Sequence, residues 1–171
     1  MSKLFIFFLL VFCSISFADN FSVNASYQVC FSPEGQCAEK IVTAIDNARQ
    51  QILVQAYSFN HRAIIRALVN ARQRGVEVKI LLDKDALNHR ALLSYLKRKH
   101  LWLAIDSTPT IAHNKVMIID QQIVITGSFN FTLAADKDNA ENVLIIDDRM
   151  LAQKYLKNWY NRAKFSQNLE M

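Results

Sequence analysis

Between His113 and Asn130 an imidazole, an ammonium, a carboxylate, a hydroxyl and a carboxamide fall at short, fixed intervals. They belong to His113, Lys115, Asp120, Ser128 and Asn130, with Gly127 just before the serine. Lysine brings a full charge and three donors, and Asn and Ser add further polar hydrogens. Such groups suit the non-bridging oxygens of a phosphate and the added negative charge of a pentacoordinate transition state. A neutral imidazole within reach of phosphorus can serve as nucleophile or as general acid or base. The stretch holds no cluster of acidic ligands, so its residues do not point to a two-metal mechanism, and neither metal nor cofactor is expected.

Residues two apart on a strand share a face, so His113 and Lys115 should point the same way as Met117 and Ile119. Asp120, seven residues from His113, should face the other way or sit in a turn. If residues 115–119 and 123–126 form a hairpin centred near Gln121, antiparallel pairing sets position 129 opposite position 113. Ser128 and Asn130 then flank His113 at one end of a sheet, and a slip of one residue would reverse the facing.

Agreement by chance of six residue types at these offsets is about one in 10⁵. The spacing H-x-K-x4-D-x6-G-S-x-N resembles that of the phospholipase D superfamily, and His113 to Asn130 matches it without a gap. Phe131-Thr132 and Asn139-Ala140-Glu141-Asn142 look like the bacterial endonuclease branch. The resemblance implies hydrolysis of a phosphodiester in two steps without a metal. One motif His would attack phosphorus and form a phosphohistidine. A second would protonate the leaving oxygen and then activate water. By the same carry-over Lys115 and Asn130 would hold phosphate oxygens, Ser128 would support them, Glu141 would orient the imidazole, and Asp120 would be the more structural member of the catalytic set. Two motif His are required, and this chain has one: His61, His89 and His100 lack a Lys two residues on. A homodimer in which His113 of each subunit meets the other across a two-fold axis would supply both.

These residues need elements to position them. Strands are expected at 21–31, 52–57, 76–82, 101–105, 115–119, 123–126 and 142–146. Helices are expected at 39–50, 61–74, 86–99 and 149–164, from apolar spacings such as Ile64, Ile65, Leu68 and Val69, with Gly75 as a stop signal. Strands alternating with helices early in the chain argue an α/β fold with right-handed crossovers, and the late hairpin makes the sheet mixed. The expected class is therefore a mixed, mainly parallel β-sheet flanked by helices on both faces, in a single domain over residues 19–171. A chain of 171 residues, 51% hydrophobic and 20% charged, with 3 Gly and 2 Pro, is not disordered, collagen-like or linker-rich.

Lys3, the apolar run 4–12 and the small residues at Ser16 and Ala18 describe a secretory signal peptide over residues 1–18, with cleavage before Asp19. The run is too short to span a bilayer, which takes roughly 20 residues, so no stable membrane anchor is expected after cleavage. The expected location is the periplasm or the medium. Export permits a disulfide between Cys30 and Cys37, which flank a Pro- and Gly-containing turn. So short a loop would stabilise by about 2–3 kcal/mol in the entropic account.

The net charge of +5 permits a polyanionic partner. Arg62, Arg66, Arg72, Arg74, Arg90 and Lys97-Arg98-Lys99 could meet phosphates, and no base-reading module is evident, so nucleic acid cleaved without sequence preference is the first reading. A phospholipase acting on lipid head groups is the second, though no amphipathic docking stretch stands out beyond residue 18. A non-catalytic nucleic-acid-binding protein is the third, and it leaves His113 without a task.

Overall fold

The computed structural model describes residues 18–169. The expected leader, residues 1–18, falls outside them except for Ala18. Eight strands make one sheet: β1 (Ser26–Ser32), β2 (Gln51–Ala56), β3 (Glu77–Asp83), β4 (Trp102–Asp106), β5 (Lys115–Ile119), β6 (Ile123–Gly127), β7 (Glu141–Asp147) and β8 (Gln167–Asn168). Their spatial order is β1-β7-β6-β5-β2-β3-β4-β8. Five helices flank it: α1 (Cys37–Asn47), α2 (Arg62–Gln73), α3 (Arg90–Arg98), α4 (Leu133–Lys137) and α5 (Arg149–Lys164).

Strict alternation along the central strands explains why both faces are covered. Ile52, Val54, Ile80, Leu82, Met117 and Ile119 point into the larger core beneath α1, α2 and α3. Leu53, Leu81, Val116, Ile118 and Val124 point the other way, into a smaller core beneath α5. A period of two thus places side chains in two different cores. Helices lie on both faces, as expected. Parallel pairing, however, is confined to β2–β3 and β3–β4, and the other interfaces are antiparallel. The sheet is mixed rather than mainly parallel because only α2 and the segment ending in α3 provide the long crossovers that parallel neighbours need.

Several boundaries moved for local reasons. The strand expected from residue 21 begins at Ser26, because Ala25 N–H closes a turn on the Ser22 carbonyl at 3.0 Å. The helix expected over 86–99 is broken at His89 (φ −101°, ψ 54°) into a 3₁₀ turn, Lys84–Asn88, and α3. Asp83 starts that turn by accepting from Asp85 N–H at 2.9 Å. The helix expected from residue 39 begins at Cys37, where Asp136 of α4 accepts from Ala38 N–H at 3.1 Å. The short α4 escaped the sequence reading because five residues show too little periodicity. Cys30 on β1 and Cys37 at the start of α1 form a disulfide, with Cα atoms 5.7 Å apart.

α5 is pinned at three points. Trp159 is buried and donates from Nε1 to the Val54 carbonyl at 3.0 Å. Arg162 makes a two-pronged pair with the buried Asp106 at 2.7 and 2.6 Å. Asp148 caps the helix, accepting from Met150 and Leu151 N–H, and also takes Ser22 N–H and Oγ–H at 2.8 Å each. Among the described residues no helix is long and apolar enough to cross a membrane.

The Asp148 carboxyl is held below the usual carboxylate range, chiefly by the Ser22 N–H bond, with the other donors outweighing burial. A lowered folded pKa gives stabilisation that is complete above the unfolded value of about 4 and is lost as pH falls through the folded one. Thermal unfolding of Asp148→Asn should therefore depend less steeply on pH below about 4 than that of wild type. Equal slopes would mean that the cap contributes nothing through its charge.

Candidate active site

The hairpin register is Ile119↔Ile123 to Val116↔Thr126, centred on Gln121 as expected. His113 and Asn114 lie just before β5, and Ser128 and Asn130 just after β6. Backbone bonds fix this end of the sheet. The Asn114 carbonyl accepts from Tyr57 N–H at 3.0 Å, and the buried Asp83 carboxylate accepts from Ala112 N–H at 2.6 Å. β6 stops at Gly127, whose φ of 151° favours glycine and where an added Cβ would collide with the Asn142 carbonyl.

Lys115 is the centre of the arrangement. It is 8% exposed, and its Nζ lies 2.9 Å from His113 Nδ1 and 2.8 Å from the His113 carbonyl oxygen. Burial pushes its pKa below the usual lysine value, and the Glu141 carboxylate partly offsets that. Among the described residues Lys115 makes no salt bridge. The ammonium donates to the His113 carbonyl oxygen and lies against Nδ1, which leaves it at least one hydrogen for an anion. His113 is exposed, its ring packs 4.5 Å from that of Tyr57, and Lys115 Nζ leaves Nε2 as the ring nitrogen open to a substrate. Asn130 is half-buried, and its Oδ1 is a buried atom without a hydrogen-bond partner. Native interiors seldom leave such an acceptor unmatched, so the Asn130 carboxamide oxygen keeps capacity for a donor from a ligand or water.

Within one chain Ser128 and Glu141 bond to each other. Ser128 Oγ donates to Glu141 Oε2 at 2.5 Å and accepts from Asn142 N–H at 3.1 Å and Asn142 Nδ2 at 3.2 Å. One donor and two acceptor positions are thereby filled, so Ser128 supports the site without a hydrogen left for phosphate. Glu141 also accepts from Asn139 Nδ2 at 3.2 Å. Within the chain the His113 imidazole is held by Lys115 and Tyr57.

Asp120 sits at the opposite end of β5, in the hairpin turn with φ 52°. Its carboxylate accepts from the N–H groups of Arg49, Gln50 and Gln51 at 2.8, 2.8 and 2.9 Å, clamping the entry to β2. It touches none of the site residues. Tyr57 and Asp83 are site-building residues that no motif in the sequence singles out. Tyr57 follows β2 directly, and only the strand order brings it to His113. Among the described residues no three His, Cys, Asp or Glu side chains gather as a metal site would.

Asp120→Ala should lower stability by about 1–2 kcal/mol, the loss of charge-assisted bonds to backbone donors. Any activity that depends on His113 should survive in the folded protein. Denaturant titration beside an activity assay checks both, and loss of activity at full folding would bring Asp120 back into the chemistry.

Comparison with known proteins agrees with this geometry. Residues 41–163 match the family described as cardiolipin synthase, PLD-like domain. A phospholipase D from Rickettsia felis is 50% identical over 141 residues, 82% of this chain and 70% of that protein. Human mitochondrial cardiolipin hydrolase is 31% identical over 146 residues, 80% of this chain but 58% of that protein. The crystal structure of Nuc, a phospholipase D family member from Salmonella typhimurium, superposes with a TM-score of 0.82 at 39% identity, covering 86% of this chain and all of that one. The chain thus belongs to the phospholipase D superfamily and is a phosphodiesterase of it.

Proposed function

We propose that this phosphodiesterase is an exported endonuclease that hydrolyses DNA or RNA without sequence preference and without a metal. The observation that carries the reading is the buried Lys115 ammonium, free of salt bridges and 2.9 Å from His113 Nδ1. It offers a phosphate a charge beside an imidazole. In the first step the Lys115 ammonium turns from Nδ1 to the phosphate, and His113, with its proton on Nδ1, bonds through Nε2 to phosphorus as the ester P–O bond breaks, while His113 of the partner subunit gives its proton to the leaving oxygen. In the second, water attacks phosphorus, the P–N bond breaks, and the partner's His113 takes the water's proton. Lys115 and Asn130 stabilise the added charge on phosphorus throughout.

A dimer follows from the single motif His. A second copy also has a surface to meet. Tyr27, Val29 and Phe31 of β1 are exposed on the α5 face, where Leu144 and Ile146 of β7 are only half-buried. α5 does not reach this apolar edge, and the Phe31 end adjoins Asn142 beside Ser128. The Cys30–Cys37 bridge supports export to an oxidising compartment. Full coverage of Nuc, a family member of similar extent, supports the nuclease reading. A lipid substrate is the second reading, because the Rickettsia relative at 50% identity is named a phospholipase D.

Plasmid nicking should persist in excess EDTA and fall by about 10³-fold or more in His113→Ala, the size of a lost nucleophile and proton carrier. Abolition by chelator with rescue by magnesium would contradict the metal-free mechanism. Head-group release from phospholipid vesicles without nicking would favour the lipid reading.

A further inference from the structure

A groove leads away from the site between α2 and α3. Tyr57, against the His113 ring, lines its inner end together with Asn60, His89 and Leu92. The last three continue into an outer cavity of about 560 Å³ walled by Arg62, Arg66 and Tyr95. Arg62 and Arg66 are four apart on α2 and so share a face. Both are exposed, and among the described residues neither makes a salt bridge. Three other arginines are occupied with the fold. Arg72 donates to the His100 carbonyl, Arg74 to the Ile45 carbonyl, and Arg162 pairs with Asp106. One acid, Asp85, lines the inner end. The groove lies on the α2 and α3 face of the sheet, opposite the exposed Tyr27, Val29 and Phe31, so a second copy seated there leaves it open.

We propose that this groove is the track for a nucleic-acid strand running on from the scissile phosphate. Arg62 and Arg66 take phosphates beyond the one being cleaved, and His89 and Tyr95 give bases a surface to stack on. The inference rests on the nuclease reading above and adds where the strand lies. A polynucleotide repeats its charge along the chain, and each neutralised phosphate releases counterions. Stacking on aromatic faces adds affinity without reading sequence. A phospholipid diester carries one phosphate and then acyl chains, which have no use for two unpaired guanidiniums beyond the site.

The test compares a 20-mer single-stranded oligonucleotide, a dinucleotide with one phosphodiester, and phosphatidylglycerol vesicles, using wild type, Arg62→Ala/Arg66→Ala and Arg72→Ala. Wild type should favour the 20-mer over the dinucleotide in kcat/KM, and the double variant should lose about tenfold of that preference, mostly through KM. Its log–log salt dependence on the 20-mer should weaken by about 1.4, or roughly 0.7 for each single-strand phosphate no longer neutralised. Arg72→Ala should keep the wild-type preference. The salt slope of wild type alone provides a reading that needs no variant. An unchanged preference and slope in the double variant, with wild type cleaving both nucleotides, would overturn the track while leaving the nuclease reading intact. Cleavage of neither nucleotide by wild type would overturn the nuclease reading and the track with it. Vesicle hydrolysis lost in the double variant, with oligonucleotide cleavage unaffected, would assign the groove to lipid.

Discussion

A lysine ammonium held largely out of water, with no carboxylate of the described residues bonded to it, is the constraint around which the site is arranged. Lys115 is buried at the end of β5, and burial alone pushes its pKa down. Removing a charge from water is unfavourable unless a partner replaces the hydration. Among the described residues its bonded replacements are the Nδ1 and carbonyl oxygen of His113. A phosphate would complete the set, and in doing so would bring phosphorus beside the imidazole. One unbalanced charge therefore both attracts the substrate and places it.

The fold sustains this charge by rigidity around it. Both faces of β5 are packed, Met117 and Ile119 into one core and Val116 and Ile118 into the other. Asp83 and Tyr57 hold the backbone on either side of His113 through Ala112 and Asn114. At the far end Asp120 ties the hairpin turn to the start of β2, so the strand that carries Lys115 is fixed at both ends. Ser128, Glu141 and Asn142 form a bonded cluster along the β6–β7 edge that sets the negative charge partly offsetting the burial of Lys115.

Much of this was legible in the residues. The period of two along 115–119 fixed which way Lys115 points, and the three-residue turn of Asp120, Gln121 and Gln122 set the register that brings Ser128 and Asn130 to the same end of the sheet as His113. What was not legible depends on contacts distant in sequence. Tyr57 and Asp83 reach the site only because β2 lies between β5 and β3, an order that no local pattern contains. The bonding of Ser128 depends on Asn142, brought alongside by the β6–β7 pairing. Parallel pairing was overestimated because a strand–helix–strand pattern reveals crossovers but not which neighbours β5, β6 and β7 choose. Of the arginines considered as phosphate contacts, sequence could not separate Arg62 and Arg66, which wall a groove, from Arg72 and Arg74, which bond to carbonyl groups.

The proposed mechanism needs two imidazoles at each site, one from each of two chains. Equal amounts of wild-type chain and His113→Ala chain, refolded together and sorted by distinguishable tags, test it most directly. If each site needs His113 from both subunits, mixed dimers are inactive and activity per total protein falls to about a quarter of wild type, by random two-fold pairing. A fall to about half, with subunit exchange demonstrated by the tags, would show that each chain works alone and would contradict the account.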